Sequence, residues 1–247
     1  MSLSDVNLRE REFHNKLHSD WSRTREDKFY KALDNLTQDF FNFLKSETPN
    51  KNTLDFGCGK GIYAKSVINF SPKKLTAIDI SEKAIKIAKE ETLAEKKNID
   101  FRVENCEMTE LKSEDYDVIY GFGILHHLNL EKSLSEVKRL LKKNGSIIFA
   151  EPMGTNPIIN LYRKLTPKSR SPDEHPLMTK DIKNIKNLFE NVSVNYYGFF
   201  SVIFLPFYKY PKNSKLFLIL SRIDKIFLQI PFFKFLAWSV LIKAKKN

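Results

Sequence analysis

LDFGCGKGIYAK, residues 54–65, places three glycines two apart directly behind a short apolar run that carries an acid, Asp55. A chain this bare lets a ligand come up against the backbone. Three ligand classes compete for it: a phosphate, a dinucleotide, and a ligand with no phosphate. A phosphate loop follows its last glycine with Lys-Ser or Lys-Thr, whereas Ile62-Tyr63 follow here. A dinucleotide fingerprint reads G-x-G-x-x-G, but Gly57, Gly59 and Gly61 read G-x-G-x-G. Asp55 would repel a phosphate and suits a ligand with an amino group and positive charge.

Outward from this stretch, short apolar runs alternate with amphipathic ones. Strands are predicted at residues 53–56, 74–78, 99–103, 116–120 and 146–150, with helices at 62–69, 82–94 and 131–142 between them. Ser81 is placed to cap the second of these helices and Gly145 to stop the third. This alternation argues a parallel, doubly wound α/β sheet with right-handed crossovers. Its ligands bind beyond the carboxyl ends of the strands, where strand order reverses, and the glycine stretch would lie there. The first 46 residues read as helical. Residues 151–177 hold five prolines with no clear period and read as a structureless insert. A helix at 179–189, a strand at 192–197, a helix at 213–230 and a last strand at 236–244 complete a seven-stranded, mostly parallel sheet. In the helix at 213–230, Leu216, Ile219, Leu220, Ile223, Ile226, Phe227 and Ile230 form the stripe expected to face the core, with Phe217, Leu218 and Leu228 off it.

The 247 residues suit a single domain, 1–247: a helical lid over 1–48, a ligand-binding core over 49–151, and an acceptor-shaping insert, helices and last strands over 152–247. Cys58 and Cys106 have no metal-ligand spacing, the polar start does not read as a signal peptide, and a cytoplasmic setting is expected. The uncharged run at residues 196–208 is too short and proline-broken to span a bilayer. The net charge of +11 is uneven: residues 201–247 hold nine Lys/Arg against one acid. Residues 196–238 hold 14 of the 31 aromatic side chains. That asymmetry points to partners, and it leaves peripheral contact with an anionic membrane open.

LDFGCGKG followed by AIDIS resembles motifs I and II of the class I S-adenosylmethionine-dependent methyltransferases, over roughly residues 50–150. The resemblance implies a Rossmann-like methyltransferase fold, S-adenosyl-L-methionine as methyl donor, S-adenosyl-L-homocysteine as product, and no metal. It implies that Gly57, Cys58, Gly59 and Gly61 cradle the donor and that Asp55 holds its methionine amino end through water. Asp79, 22 positions after Gly57, would take the ribose hydroxyls, and Ile80 would pack on the adenine. A helix-capping role for Asp79 is the alternative. In FRVENCEMTEL the family commonly has an Asp where Asn105 stands, so the adenine amino group would meet a neutral carbonyl. Cys106 and Glu107 would line the same pocket by backbone contacts, and the Gly121 carbonyl would accept from the methionine amino group.

YDVIYGFGILHHLNL carries the LHHL form found in many small-molecule methyltransferases. His126 or His127 can serve as general base, or pack against the cofactor loop. As neighbours they do not read as an i,i+4 metal pair. The segment EPMGTNPIINLYRKLTPKSRSPDEHPL resembles a bacterial methyltransferase subgroup of the type 11/25-like kind. It offers Arg163, Arg170, Asp173, Glu174 and His175 to shape the acceptor pocket, with His175 a further candidate base. His14, His18, Trp21 and Phe13 would belong to the lid. The Asn/Asp-Pro-Pro-aromatic sequence of nucleic-acid amino methyltransferases is missing, so a nucleic-acid partner is not expected. The leading expectation is methyl transfer to an oxygen of a small-molecule acceptor, anionic or carbohydrate-type. A membrane-peripheral enzyme of a lipid or quinone-like acceptor and a catalytically silent cofactor-binding module are the alternatives. Oligomeric state stays open.

Overall fold

A computed structural model describes residues 3–17, 32–95, 97–167, 170–207 and 214–247. The chain runs through α1 (Asp5–Leu17), α2 (Asp34–Glu47), β1 (Asn52–Phe56), α3 (Ile62–Val67), β2 (Lys74–Asp79), α4 (Glu82–Ala94), β3 (Asp100–Val103) and β4 (Tyr116–Phe122). It continues with α5 (Leu130–Leu140), β5 (Leu141–Pro152), α6 (Pro157–Leu165), α7 (Thr179–Leu188), β6 (Glu190–Tyr197), α8 (Phe200–Ile203), α9 (Lys215–Phe227) and β7 (Ser239–Lys245). The strands form one seven-stranded sheet in the order β3-β2-β1-β4-β5-β7-β6. The first five are parallel, and β7 runs antiparallel between β5 and β6.

Strand order reverses between β1 and β4, and the glycine stretch leaves β1 at that reversal, as the sequence predicts. Gly57, Gly59 and Gly61 all have positive φ. A Cβ on Gly57 would stand 2.3 Å from Ile124, and one on Gly61 would stand 2.8 Å from the Phe101 ring. Helices cover both faces of the sheet. α2, α3 and α4 bring Phe40, Leu44, Val67 and Ile85 to one face. α5 and α7 bring Leu134, Val137, Ile182 and Ile185 to the other. A third, smaller cluster joins Ile159 of α6, Val202 of α8, and Phe217 and Leu220 of α9.

Three expectations are corrected. The proline-rich segment is not structureless: α6 starts at Pro157, whose missing N–H costs nothing in the first turn, behind Asn156, which accepts from the Ile158 and Ile159 amides. The helix expected over 131–142 ends at Leu140, because Leu141 is already extended and pairs with Tyr116. The left-handed turn beyond it is taken by Asn144, not begun by Gly145. Finally, α9 is rotated from its expected setting. Phe217, Leu220, Ser221 and Asp224 are buried, with Leu228 beyond the helix end, while Leu216, Ile219, Ile223 and Ile226 are exposed. Asp224 sets the rotation: its carboxylate accepts from the Phe199, Phe200 and Ser201 amides at 2.8–3.1 Å and from the Ser201 hydroxyl at 2.6 Å.

Candidate functional site

A cavity of about 1040 Å³ opens at the carboxyl ends of the strands, large for a single ligand and roomy enough for two. Gly57, Cys58 and Gly59 form one wall, with Asp79 and Ile80 at the end of β2 and Asn105 and Cys106 after β3. Asp79 ties these parts together. One oxygen accepts from the Gly59 amide and the other from the Ser81 amide, each at 2.8 Å. The capping reading and the ligand reading of Asp79 are therefore compatible, since each oxygen keeps a lone pair and the residue lines the cavity.

Several expected residues stand elsewhere. Asp55 lies beneath the loop, 1% exposed, and is not among the cavity residues. Burial pushes its carboxyl up to about 8, and Asp79 adds to that. A water-mediated hold on a ligand amino group is not its position here. Gly61 caps α3 and Gly121 packs against Ile124 and Phe149, so their work is to allow close approach rather than to line the cavity. Glu107 turns to the Asn129 amide at 2.8 Å, outside the cavity. The Asn105 carbonyl accepts from the Glu107 amide and its NH2 donates to Asn7 of α1. Cys58 and Cys106 are buried thiols pushed well up by burial, which makes them inert walls. His18 and Trp21 lie outside the described residues.

The far side of the cavity collects acid–base groups. His126 and His127 sit on a short 3-10 turn, Leu125–His127, after β4. The Glu151 carboxyl at the end of β5 accepts from the Ile124 and Leu125 amides at 2.9 and 2.8 Å, which holds that turn. Its second oxygen stands 2.7 Å from His126 Nδ1. Burial disfavours charge on both partners, lowering His126 and raising Glu151. His127 is paired differently: its Nδ1 lies 3.1 Å from Glu10 Oε2 of α1. Burial lowers His127, His126 adds to that, and Glu10 opposes it. Burial works to raise Glu10, but the close approach of the His127 and His14 rings and a hydrogen bond from the Ser171 hydroxyl outweigh it and hold the carboxyl well below its usual range. The His14 ring packs edge-on against His127.

Arg163, Arg170 and Glu174 line the same side. Arg163 donates to the Met153 carbonyl and to Asn160, and burial lowers it to about 10. Asp173 does not reach the cavity; it takes a two-pronged bond from Arg9 of α1 at 2.8 Å. His175 is exposed, its ring bonded to the Asp173 carbonyl, so the structure does not place it as a base. Glu10 was missed by sequence reasoning, although its i,i+4 spacing to His14 marks a shared helix face. Glu10, His14 and His127 form a group whose ligand atoms approach within 4.8 Å, as do His126, His127 and Glu174; either could hold a cation by geometry.

Comparison with known proteins agrees with this arrangement. Residues 54–149 match the family model described as "Methyltransferase domain". A ubiquinone biosynthesis O-methyltransferase of Pelagibacter ubique is 34% identical over 120 residues, 47% of this chain and 49% of that protein. The chain thus matches about half the length of that relative. Among solved structures, the N-methyltransferase NodS of Bradyrhizobium japonicum, in complex with S-adenosyl-L-homocysteine, superposes with a TM-score of 0.64 at 14% identity, over 98% of this chain and 100% of that one. The phosphoethanolamine N-methyltransferase 2 of Haemonchus contortus gives 0.59 at 16% identity, over 85% of this chain and 52% of that one. A cradle of glycines at the sheet's reversal point, the acid at the end of β2 and the matched segment agree: the chain has the fold of the class I methyltransferases, and its residues 54–149 match the methyltransferase domain model.

Proposed function

We propose that this chain is an S-adenosyl-L-methionine-dependent methyltransferase that methylates an oxygen of a small acceptor bearing an anionic group, and that residues 1–247 act as one unit. The observation that carries it is the two-sided cavity: glycine cradle and Asp79 on one wall, His127 with Arg163 and Arg170 on the other. The donor fits the first wall. Gly57 and Gly59 leave no side chain between backbone and ligand, and Asp79 offers acceptor lone pairs of the kind ribose hydroxyls need. When bound, the donor supplies an electrophilic methyl on a positively charged sulfur.

The protein's part is alignment and proton removal. His127, set beside Glu10, would take the proton that the acceptor hydroxyl gives up on methylation. Its lowered proton affinity keeps the imidazole neutral at pH 7, the form a base requires. His126 is committed to Glu151 and holds the turn. Arg163 and Arg170 would take the acceptor's anionic group, and the walls supply the orientation from which much of the rate derives. The O-methyltransferase relative supports oxygen as the target. Neither metal-compatible group is needed for this chemistry.

The test is transfer of a radiolabelled methyl group to a panel of hydroxylated aromatic and aliphatic carboxylates and phosphates. His127→Ala is expected to lower turnover by about 10²-fold or more with S-adenosyl-L-homocysteine affinity unchanged. Near-native turnover in His127→Ala would exclude it as the base and turn attention to Glu151.

A further inference from the structure

The rotation of α9 leaves a surface that the fold does not use. Leu216, Ile219, Ile223 and Ile226 recur at i, i+3, i+7 and i+10 on its outer side, and Ile230 continues the stripe past the helix end. All five are exposed, Ile219 at 54% and Ile226 at 73%. An apolar row this regular normally faces a core. Here the core side is taken by Phe217, Leu220 and the Asp224 anchor. Phe232, in the turn Pro231–Leu236, is exposed as well.

Along one edge of the stripe run Lys215, Arg222 and Lys225, all exposed. Asp224 is the one acid of residues 201–247, and it is buried beneath the helix. The outer face therefore combines an apolar row and a basic row with no acid from this stretch of chain. A nucleic acid would match the basic row and leave the apolar one without a counterpart. A second copy of this face would cover the apolar row but offers the basic row no acid from this stretch of chain. An anionic bilayer matches both, since apolar side chains enter the acyl boundary while the cations meet lipid phosphates.

We propose that the outer face of α9 docks the protein on an anionic membrane surface. α6 packs in the same small cluster as α9 and also exposes Leu161 and Leu165, while its Tyr162 and Arg163 line the cavity. Docking would thus bring the acceptor side of the cavity towards the lipid, a consequence that rests on the methyltransferase reading.

Co-sedimentation with vesicles of phosphatidylcholine alone, and of phosphatidylcholine with phosphatidylglycerol, tests it. Binding to the anionic vesicles only, weakened at high salt, is expected. Lys215→Glu/Arg222→Glu/Lys225→Glu should weaken partitioning about a hundred-fold or more. Ile219→Ser/Ile226→Ser should weaken it too, with the remainder more sensitive to salt. Both variants should bind S-adenosyl-L-homocysteine like the parent, which shows that they are folded. Equal binding to neutral vesicles, no binding by the parent, or unchanged binding in both variants overturns the proposal. So does a concentration-dependent dimer in light scattering that the isoleucine variant abolishes. Failure of the parent to bind S-adenosyl-L-homocysteine would instead overturn the methyltransferase reading and leave docking standing.

Discussion

Asp55 keeps a carboxyl inside the core, and that has a consequence for stability. Its ordinary value near 3.8 is raised to about 8 in the folded chain by burial. Below about pH 3.8 the group is neutral in both states and takes nothing from stability. Between there and about pH 8 the unfolded chain releases the proton while the folded chain retains it, so stability falls as pH rises. At ~1.4 kcal/mol per unit, the loss near pH 7.5 is on the order of 5 kcal/mol. Asp55→Asn should therefore be more stable than the parent at pH 7.5 and nearly equal to it at pH 4.5, by denaturant unfolding at both values. A constant difference would remove the buried titration. Asp55 also shows where residue-level reading stops. An acid before the glycines was legible, but its depth below them was not, because β1 is buried on both faces and local sequence does not say which side chain meets the cavity. Asp79, Ile80, Asn105 and Cys106 line the cavity because strand ends fix where they stand. His175 stands away from the cavity, on a loop that Asp173 ties to Arg9.

At the scale of elements, period and caps did most of the work where one face is buried and one is wet. α4, with Ser81 accepting from the Ala84 amide, was read to its ends. α9 defeated the same method because apolar residues nearly encircle it, so a polar contact decides its setting. Asp224 closes the start of α8 and holds α9 against it through four hydrogen bonds. Asp224→Ala should leave those amides and the Ser201 hydroxyl without their acceptor and cost roughly 2–4 kcal/mol. Hydrogen exchange should place the loss in residues 199–227 with the central strands still protected; an exchange pattern like the parent's would show that the anchor is dispensable. α1 is latched comparably, by Arg9 to Asp173 and by the Ser81 hydroxyl donating to Asn15 at 2.6 Å. α1 was legible as a helix, but its partners were not, since those contacts join distant parts of the chain.

For the whole molecule, the cavity is where separate parts of the chain meet: α1, the glycine loop, the end of β2, the histidine turn, α6 and the start of β7 all contribute walls. A ligand held there binds the folded state and not the unfolded one, so it must stabilise the molecule as a whole. At a hundred times its dissociation constant, S-adenosyl-L-homocysteine should add about 2.7 kcal/mol. For a chain of this size each kcal/mol moves the melting temperature by roughly 2–4 °C, so a rise of roughly 5–10 °C is expected. Asp79→Ala separates the ligand's share from the fold's. Losing the acceptor for the Gly59 and Ser81 amides should lower the melting temperature without ligand. Losing two charge-assisted bonds to ribose, about 1.5–3 kcal/mol each, should also erase most of the ligand-dependent rise at the same concentration. The decisive quantity is that rise, measured by thermal unfolding with and without S-adenosyl-L-homocysteine. If Asp79→Ala melts lower but keeps the full rise, Asp79 is only the clasp between loop and helix, and the ribose must find its acceptor elsewhere on the wall.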